Sequence, residues 1–350
     1  MSWVVEIARP EILSLKPYAH AAWEPDLTRL HANELPWRTP GDDSRAGLNR
    51  YPEPQPATLV ERLAALYEVS PTRVLACRGS DEAIDLLVRT FCRPELDAVL
   101  VCPPTFGMYA IAAQIQGAAV LSVPLRSADF SLDDVALLRS AASQVKIVFL
   151  CSPNNPTGNL LDQQAILRIA RKLAGRALVV VDEAYLEFAG AVSLARHTPR
   201  HSNLCVLRTL SKAHGLAGAR LGTLIADPEI IKLTRKVIPP YAISQLTVEL
   251  ALRLLDATNA PAREERIAMI GSERQRVSRT LAASALVARV WPSAANFVLA
   301  EFKDAATALA RARSAKFLVR DARGYPELQE ALRITIGASA QNTRLLQAWS

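Results

Sequence analysis

Hydrophobic and polar residues follow one rhythm between about residues 55 and 226 and another beyond it. In the first region, short runs that are almost wholly apolar recur: VLACRG (74–79), DAVLVC (97–102), AVLSVPL (119–125), VKIVFLC (145–151), ALVVVDEAY (177–185), NLCVLRTL (203–210) and RLGTLIA (220–226). These runs predict seven strands. Between them, ATLVERLAALYEV (57–69), SDEAIDLLVRTF (80–91), TFGMYAIAAQIQG (105–117) and LDQQAILRIARKLA (161–174) carry helical spacing, the third closed by Gly117. Strands without polar alternation, interleaved with helices, predict an α/β domain. Its sheet is parallel or mostly parallel, seven-stranded and covered by helices on both faces.

After residue 243 the spacing predicts two long helices, 243–257 and 261–285. Short strands follow at 285–291, 296–302, 317–321 and 332–337, with helices between and after. Strands bunched with helices indicate a smaller α+β domain. Residues 1–45 lack periodicity and contain Pro10, Pro17, Pro25, Pro36 and Pro40. They read as an arm and connecting loop, expected to pack with the second domain. The resulting division is 1–45 for the arm, 46–250 for the large domain and 251–350 for the small one, with the junction near 245–260.

Composition narrows the function classes. Of 350 residues, 50% are hydrophobic and 21% charged, so a core is available and global disorder is excluded. The net charge of +7 fits a nucleic-acid partner or an anionic small molecule. No run of five or six like charges occurs, so a basic surface with a phosphate-binding cleft accounts for it. Cys77, Cys92, Cys102, Cys151 and Cys205 have no zinc-site spacing, and four lie in or beside apolar runs. They read as buried free thiols in a reducing compartment. His197 and His201 flank Pro199, which favours a surface loop over a metal site. The first residues lack a leader pattern, and no apolar run approaches the ~20 residues of a membrane span. The expectation is a soluble cytoplasmic protein with no membrane, metal or nucleic-acid partner.

Ligands of open α/β sheets bind beyond the carboxyl ends of the strands. The polar residues directly following the apolar runs are therefore the candidates. They are Ser80-Asp81-Glu82, Pro103-Pro104-Thr105-Phe106, the segment from Ser152 to Gly158, Asp182-Glu183-Ala184-Tyr185 and Thr209-Leu210-Ser211-Lys212. Their chemistry matches a pyridoxal 5'-phosphate site. Lys212 is the amine that can hold the cofactor covalently. Asp182 is a carboxylate to keep the pyridine nitrogen protonated. Asn155 and Tyr185 can hydrogen-bond the ring oxygen, and Phe106 can cover the ring. The phosphate would take the helix start at Gly79-Ser80-Asp81, Ser211 and Arg220.

These segments resemble the class II pyridoxal-phosphate-dependent aminotransferases, and within them the branch acting on histidinol phosphate. The resemblance runs from about Leu30 to Gly337. It is carried, in order, by LHANELPW, NRYPEPQP, RGSDEAIDLL, CPPTFGMY, CSPNNPTGN, VDEAYLEF, TLSKAHGLAGARLG, ANFVLAEF, LVRD and LRITIG.

The resemblance implies a fold-type-I transferase. Lys212 is then the Schiff-base lysine and proton shuttle, Asp182 the partner of the pyridine nitrogen, and Asn155 and Tyr185 the ring-oxygen ligands. Ser80, Asp81, Ser211 and Arg220 surround the phosphate. Tyr51 reaches the cofactor phosphate of a neighbouring subunit, implying a homodimer. Arg333 and Arg320 bind the substrate's anionic end, with Tyr18 and Asn33 lining the same pocket. Two positions depart from the family: Phe106 stands where Tyr is common, and Ser80 where Ala is frequent. The implied reaction interconverts imidazole acetol phosphate plus glutamate with histidinol phosphate plus 2-oxoglutarate. A relative acting on an aromatic amino acid or decarboxylating threonine phosphate shares the cofactor residues. A non-enzymatic basic binding protein on the same fold is the reading from another class.

Overall fold

The computed structural model describes residues 3–18, 24 and 27–350. Pro25 of the arm lies outside them. The large domain is built on a sheet of β1 (Val74–Cys77), β2 (Ala98–Val101), β3 (Ala119–Ser122), β4 (Val145–Cys151), β5 (Leu178–Asp182), β6 (Leu204–Thr209) and β7 (Gly222–Ile225). Its order is β1-β7-β6-β5-β4-β2-β3. β7 runs antiparallel to both neighbours and the other pairings are parallel.

The unbroken apolar runs have a direct physical cause. In β5, Val179 and Val181 face one layer of core while Leu178 and Val180 face the other. The first layer is closed by Leu59 and Leu63 of helix Ala57–Leu66, Ile166 and Ile169 of helix Gln163–Lys172, and Val248 and Ala251 of helix Gln245–Leu254. The second is closed by helices Ser80–Phe91, Met108–Gln116 and Pro228–Thr234. A strand with helices on both sides has no solvent face on which to place polar residues.

The small domain carries an antiparallel sheet of β8 (Val287–Val290), β9 (Phe297–Phe302), β10 (Arg320–Asp321) and β11 (Ala331–Thr335), in the order β10-β11-β9-β8. Val277 and Leu281 of helix Ala260–Ala282 pack on it, and Trp349 fills its core with its indole N–H donating to Ala308 O at 2.9 Å. Trp291, Leu299 and Ala331 of this region join the first core layer of the large sheet, so the two parts of the chain share buried surface.

Three features differ from the pattern-based expectation. Helices Asp134–Ser140 and Pro228–Thr234 are too short for their periodicity to stand out. The run 317–321 forms only the two-residue strand β10. The start of the chain forms helices Trp3–Ile7 and Pro10–Ser14 and packs on the large domain, not the small one. Val4, Ile7 and Ala8 enter the second core layer, Arg9 N donates to Thr90 O at 3.1 Å, and Lys236 Nζ donates to the carbonyls of Ile12 and Leu13. Three apolar residues in a short segment are enough to dock it but too few to show a period.

Candidate active site

Strands β1, β2, β4, β5 and β6 all point the same way, because β1 and β6 are each antiparallel to β7. The residues after their carboxyl ends wall a cavity of about 610 Å³. Ser80, Asp81, Phe106, Asn155, Asp182, Tyr185, Ser211, Lys212 and Arg220 line it from the large domain, and Arg320, Tyr325 and Arg333 from the small one. Twelve side chains spread over more than 250 positions thus meet in one space of ordinary ligand size.

Asp182 ends β5 and is 3% exposed. The Tyr109 hydroxyl donates to its Oδ2 at 2.8 Å, and the Ala184 N–H donates to Oδ1 at 3.1 Å. Burial pushes its pKa up to about 6, against the pull of those two donors. It remains a carboxylate at neutral pH, buried and, among the described residues, without a bonded cation.

Asn155 connects the two domains. Its Nδ2 donates to the Tyr185 hydroxyl at 3.3 Å, and its Oδ1 accepts from Arg333 Nη1. The Arg333 guanidinium lies 5.2 Å from the centre of the Phe297 ring, and its buried Nε has no hydrogen-bond partner among the described residues. Register pairs Arg333 of β11 with Arg320 of β10, which brings two guanidinium-bearing residues to one wall. The Lys212 Nζ lies 5.5 Å from the centre of the Tyr185 ring. Burial lowers the lysine's pKa, the nearby charge of Arg333 lowers it further, and Asp182 and Asp81 only partly compensate. A lowered amine pKa increases the neutral fraction that can act as nucleophile or base.

The opposite end of the cavity suits an anion. Helix Ser80–Phe91 starts there behind Gly79, whose φ of 88° no other residue adopts easily, and no side chain caps its free N–H groups. The Ser211 side chain and the Arg220 guanidinium stand beside it, with Arg220 held at 3.4 Å by Asp81. Asp81 therefore aims the guanidinium. Gly222 is required for this arrangement: a Cβ there would overlap the backbone of Gly79 and Ser80.

Phe106 lies half-buried on the wall, edge-on to Tyr109 at 5.6 Å. Tyr18, Asn33 and Tyr51 do not line this chain's cavity. Tyr18 is 67% exposed, Asn33 adopts a φ of 57°, and Tyr51 stacks on Tyr241 at 4.6 Å, half exposed.

Sequence reasoning missed Tyr109 and Tyr325. Tyr109 occupies the buried face of a periodic helix and reads as core. Tyr325, whose hydroxyl donates to the Thr105 carbonyl and so joins the two domains at the cavity, lies in a loop without a motif. Also unforeseen is a buried charge network behind the site. Arg208 donates to Glu183 Oε2 at 3.1 Å and Glu187 Oε1 at 2.7 Å, and His214 Nε2 lies 3.5 Å from Glu187. These residues flank Asp182, Tyr185 and Lys212 in the chain, so the network ties the loop after β5 to the loop after β6. Among the described residues, no cluster of His, Cys, Asp and Glu could hold a metal, and no helix is long and apolar enough to cross a membrane.

Comparison with known proteins agrees with this geometry. The family described as aminotransferase class I and II matches residues 31–348. A histidinol-phosphate aminotransferase of Xylella fastidiosa is 47% identical over 349 residues, 98% of this chain and 95% of that protein. The histidinol-phosphate aminotransferase of Sinorhizobium meliloti, solved in complex with pyridoxal-5'-phosphate, superposes with a TM-score of 0.78 at 27% identity, covering 86% of this chain and 82% of that one. An L-threonine-O-3-phosphate decarboxylase of Porphyromonas gingivalis gives a TM-score of 0.73 at 27% identity, covering 86% and 92%. The chain belongs to the class I and II aminotransferases.

Proposed function

We propose that this chain is a pyridoxal-phosphate-dependent aminotransferase exchanging an amino group between glutamate and a phosphorylated ketone, with histidinol phosphate as the aminated product. The observation that carries the reading is that one amine and one buried carboxylate, Lys212 and Asp182, line the same cavity. The residues fit the cofactor on three counts. Asp182 is a buried carboxylate with no salt-bridged cation among the described residues, a partner that a protonated ring nitrogen would supply. The uncapped helix start, Ser211 and Arg220 suit a phosphate. Asn155 and Tyr185 converge on one point where a ring oxygen can accept.

Bound pyridoxal phosphate supplies a carbonyl for the lysine and an electron-accepting ring for the pair released when the substrate's α C–H bond breaks. Lys212 would hold that carbonyl covalently and, once freed by the substrate amine, would serve as the base for the α-proton and the acid that returns it. Asp182 would keep positive charge at the ring nitrogen, which favours the electron flow into the ring. Phe106 would cover the ring from the cavity wall it lines. Arg333 and Arg320 bind the substrate's anionic end, a carboxylate in one half-reaction and a phosphate in the other, because guanidinium forks accept both.

Tyr51 serves the cofactor phosphate of a partner subunit, which makes the working unit a homodimer. In support, the segment carrying Tyr51 exposes Leu30, Leu35, Trp37 and Leu48 to between 50% and 88%, more apolar surface than an isolated chain usually leaves uncovered. The cytoplasm is the compartment that fits five buried free thiols.

The test is a substrate panel on purified protein. Yellow absorbance lost on Lys212→Ala, together with 2-oxoglutarate formed from glutamate beyond one equivalent per site only when imidazole acetol phosphate is present, is the expected result. Carbon dioxide release from threonine phosphate would move the chain to the decarboxylases. No cofactor uptake at all would refute the enzyme reading.

A further inference from the structure

Asp182 is charged and buried, so something must stabilise its charge. Among the described residues, one side chain donates a hydrogen bond to it: Tyr109, at 2.8 Å from its hydroxyl to Oδ2. Tyr109 is fully buried, and its ring stacks on Phe149 of β4 at 4.8 Å with planes within 2°. Phe106 meets the same ring edge-on. The phenol is therefore clamped on two sides and its hydroxyl has a fixed aim. The other groups facing the carboxylate are the Ala184 N–H, the Cys151 thiol of β4, the Asp81 carboxylate and the Lys212 amine.

We propose that Tyr109 is a positioning residue: its hydroxyl keeps Asp182 ionised and aimed at the cofactor's ring nitrogen, and through Asp182 it sets the proton affinity of the lysine–cofactor bond. The inference rests on the cofactor reading above. A carboxylate that accepts a hydrogen bond holds its proton less tightly. Without the hydroxyl, Asp182 becomes more basic and draws the ring-nitrogen proton toward itself. The ring then withdraws fewer electrons, and the nitrogen of the lysine–cofactor bond becomes easier to protonate.

The experiment titrates the visible absorbance band of the holoenzyme against pH for wild type, Tyr109→Phe, Asp182→Asn and the double variant. Tyr109→Phe keeps both ring contacts and removes one oxygen. Its midpoint is expected to move upward by ~1 pH unit, with cofactor affinity, measured by fluorescence titration of the apoprotein with pyridoxal phosphate, weakened ~10-fold. In the Asp182→Asn background the same change is expected to add nothing to the midpoint. Phe149→Leu, which loosens the packing but keeps the hydroxyl, should leave the midpoint in place. An unmoved midpoint or unchanged affinity in Tyr109→Phe, an equal shift in both backgrounds, or an equal shift in Phe149→Leu would overturn the proposal. Absence of any band in wild type would overturn the cofactor reading instead, so the two failures are distinguishable.

Discussion

Replacing Arg208 by Met should make the protein's stability steeply dependent on pH. The Arg208 side chain is 8% exposed, Glu183 1% and Glu187 16%. Burial raises the pKa of Glu183 despite its pairing with Arg208. Burial works against ionisation of Glu187 too, but the His214 contact and the Arg208 charge outweigh it and its pKa falls below the usual value.

Removing the guanidinium leaves two carboxylates in the interior with one cation fewer, a change that costs roughly 3–5 kcal/mol in comparable sites. That is a large part of a typical total of roughly 5–15 kcal/mol. The protein has an escape: one carboxylate can be buried as the neutral acid. From the ordinary glutamate pKa of 4.5, protonation costs roughly 4 kcal/mol at about pH 7.5 but only roughly 1.4 kcal/mol at about pH 5.5. The folded variant then holds a proton that the unfolded chain has released. Its stability therefore falls as pH rises, by up to ~1.4 kcal/mol per pH unit for one proton.

Urea unfolding followed by far-ultraviolet circular dichroism, run on both proteins across that pH range, measures the difference. The expected deficit is about 3–5 kcal/mol at the alkaline end and about 1–2 kcal/mol at the acid end. A deficit below about 1 kcal/mol at neutral pH, or one that does not shrink on acidification, would mean that the network is hydrated like an exposed pair.

Three further outcomes follow from the site. Gly222→Ala puts a methyl into the backbone of Gly79 and Ser80; a strain of at least ~1–3 kcal/mol and loss of bound cofactor after dialysis are expected, and full retention of cofactor would contradict the cradle. Arg333→Lys keeps a charge but loses the fork, so KM for the phosphorylated substrate should rise ~10–100-fold while the absorbance band persists; steady-state kinetics on both substrates decide it. With Asp182 titrating near pH 6 in the cofactor-free protein, the folded carboxylate is lost as pH falls through that value, and cofactor affinity should weaken by ~10-fold per pH unit below it; equilibrium titrations at several pH values check this, and a flat profile would count against Asp182 as the ring's counter-charge.

Much of the architecture is legible in local pattern because the sheet is covered on both faces. The runs VKIVFLC and LVVVD have no polar alternation, and this property alone implies helices above and below them. Strand ends could be read as well, since an apolar run must stop where the chain emerges: Asp182, Asn155 and Lys212 each follow such a stop. The arm was misplaced because docking through Val4, Ile7 and Ala8 leaves no periodic trace, and its partners, Thr90 and Lys236, are far along the chain.

Other properties depend on contacts across long separations. Tyr109 carries no mark distinguishing it from a core aromatic; it becomes a partner of Asp182 because helix Met108–Gln116, packed on β2 and β3, sets its first turn against Phe149 of β4, the neighbour of β5. Tyr325 meets Thr105 across 220 positions, and Arg208 meets Glu183 because β5 and β6 pair in parallel. Short-range periodicity reports which residues must leave water, a demand each segment makes by itself. Hydrogen bonds and ion pairs report which buried groups find one another, and that depends on the order in which the strands are laid side by side.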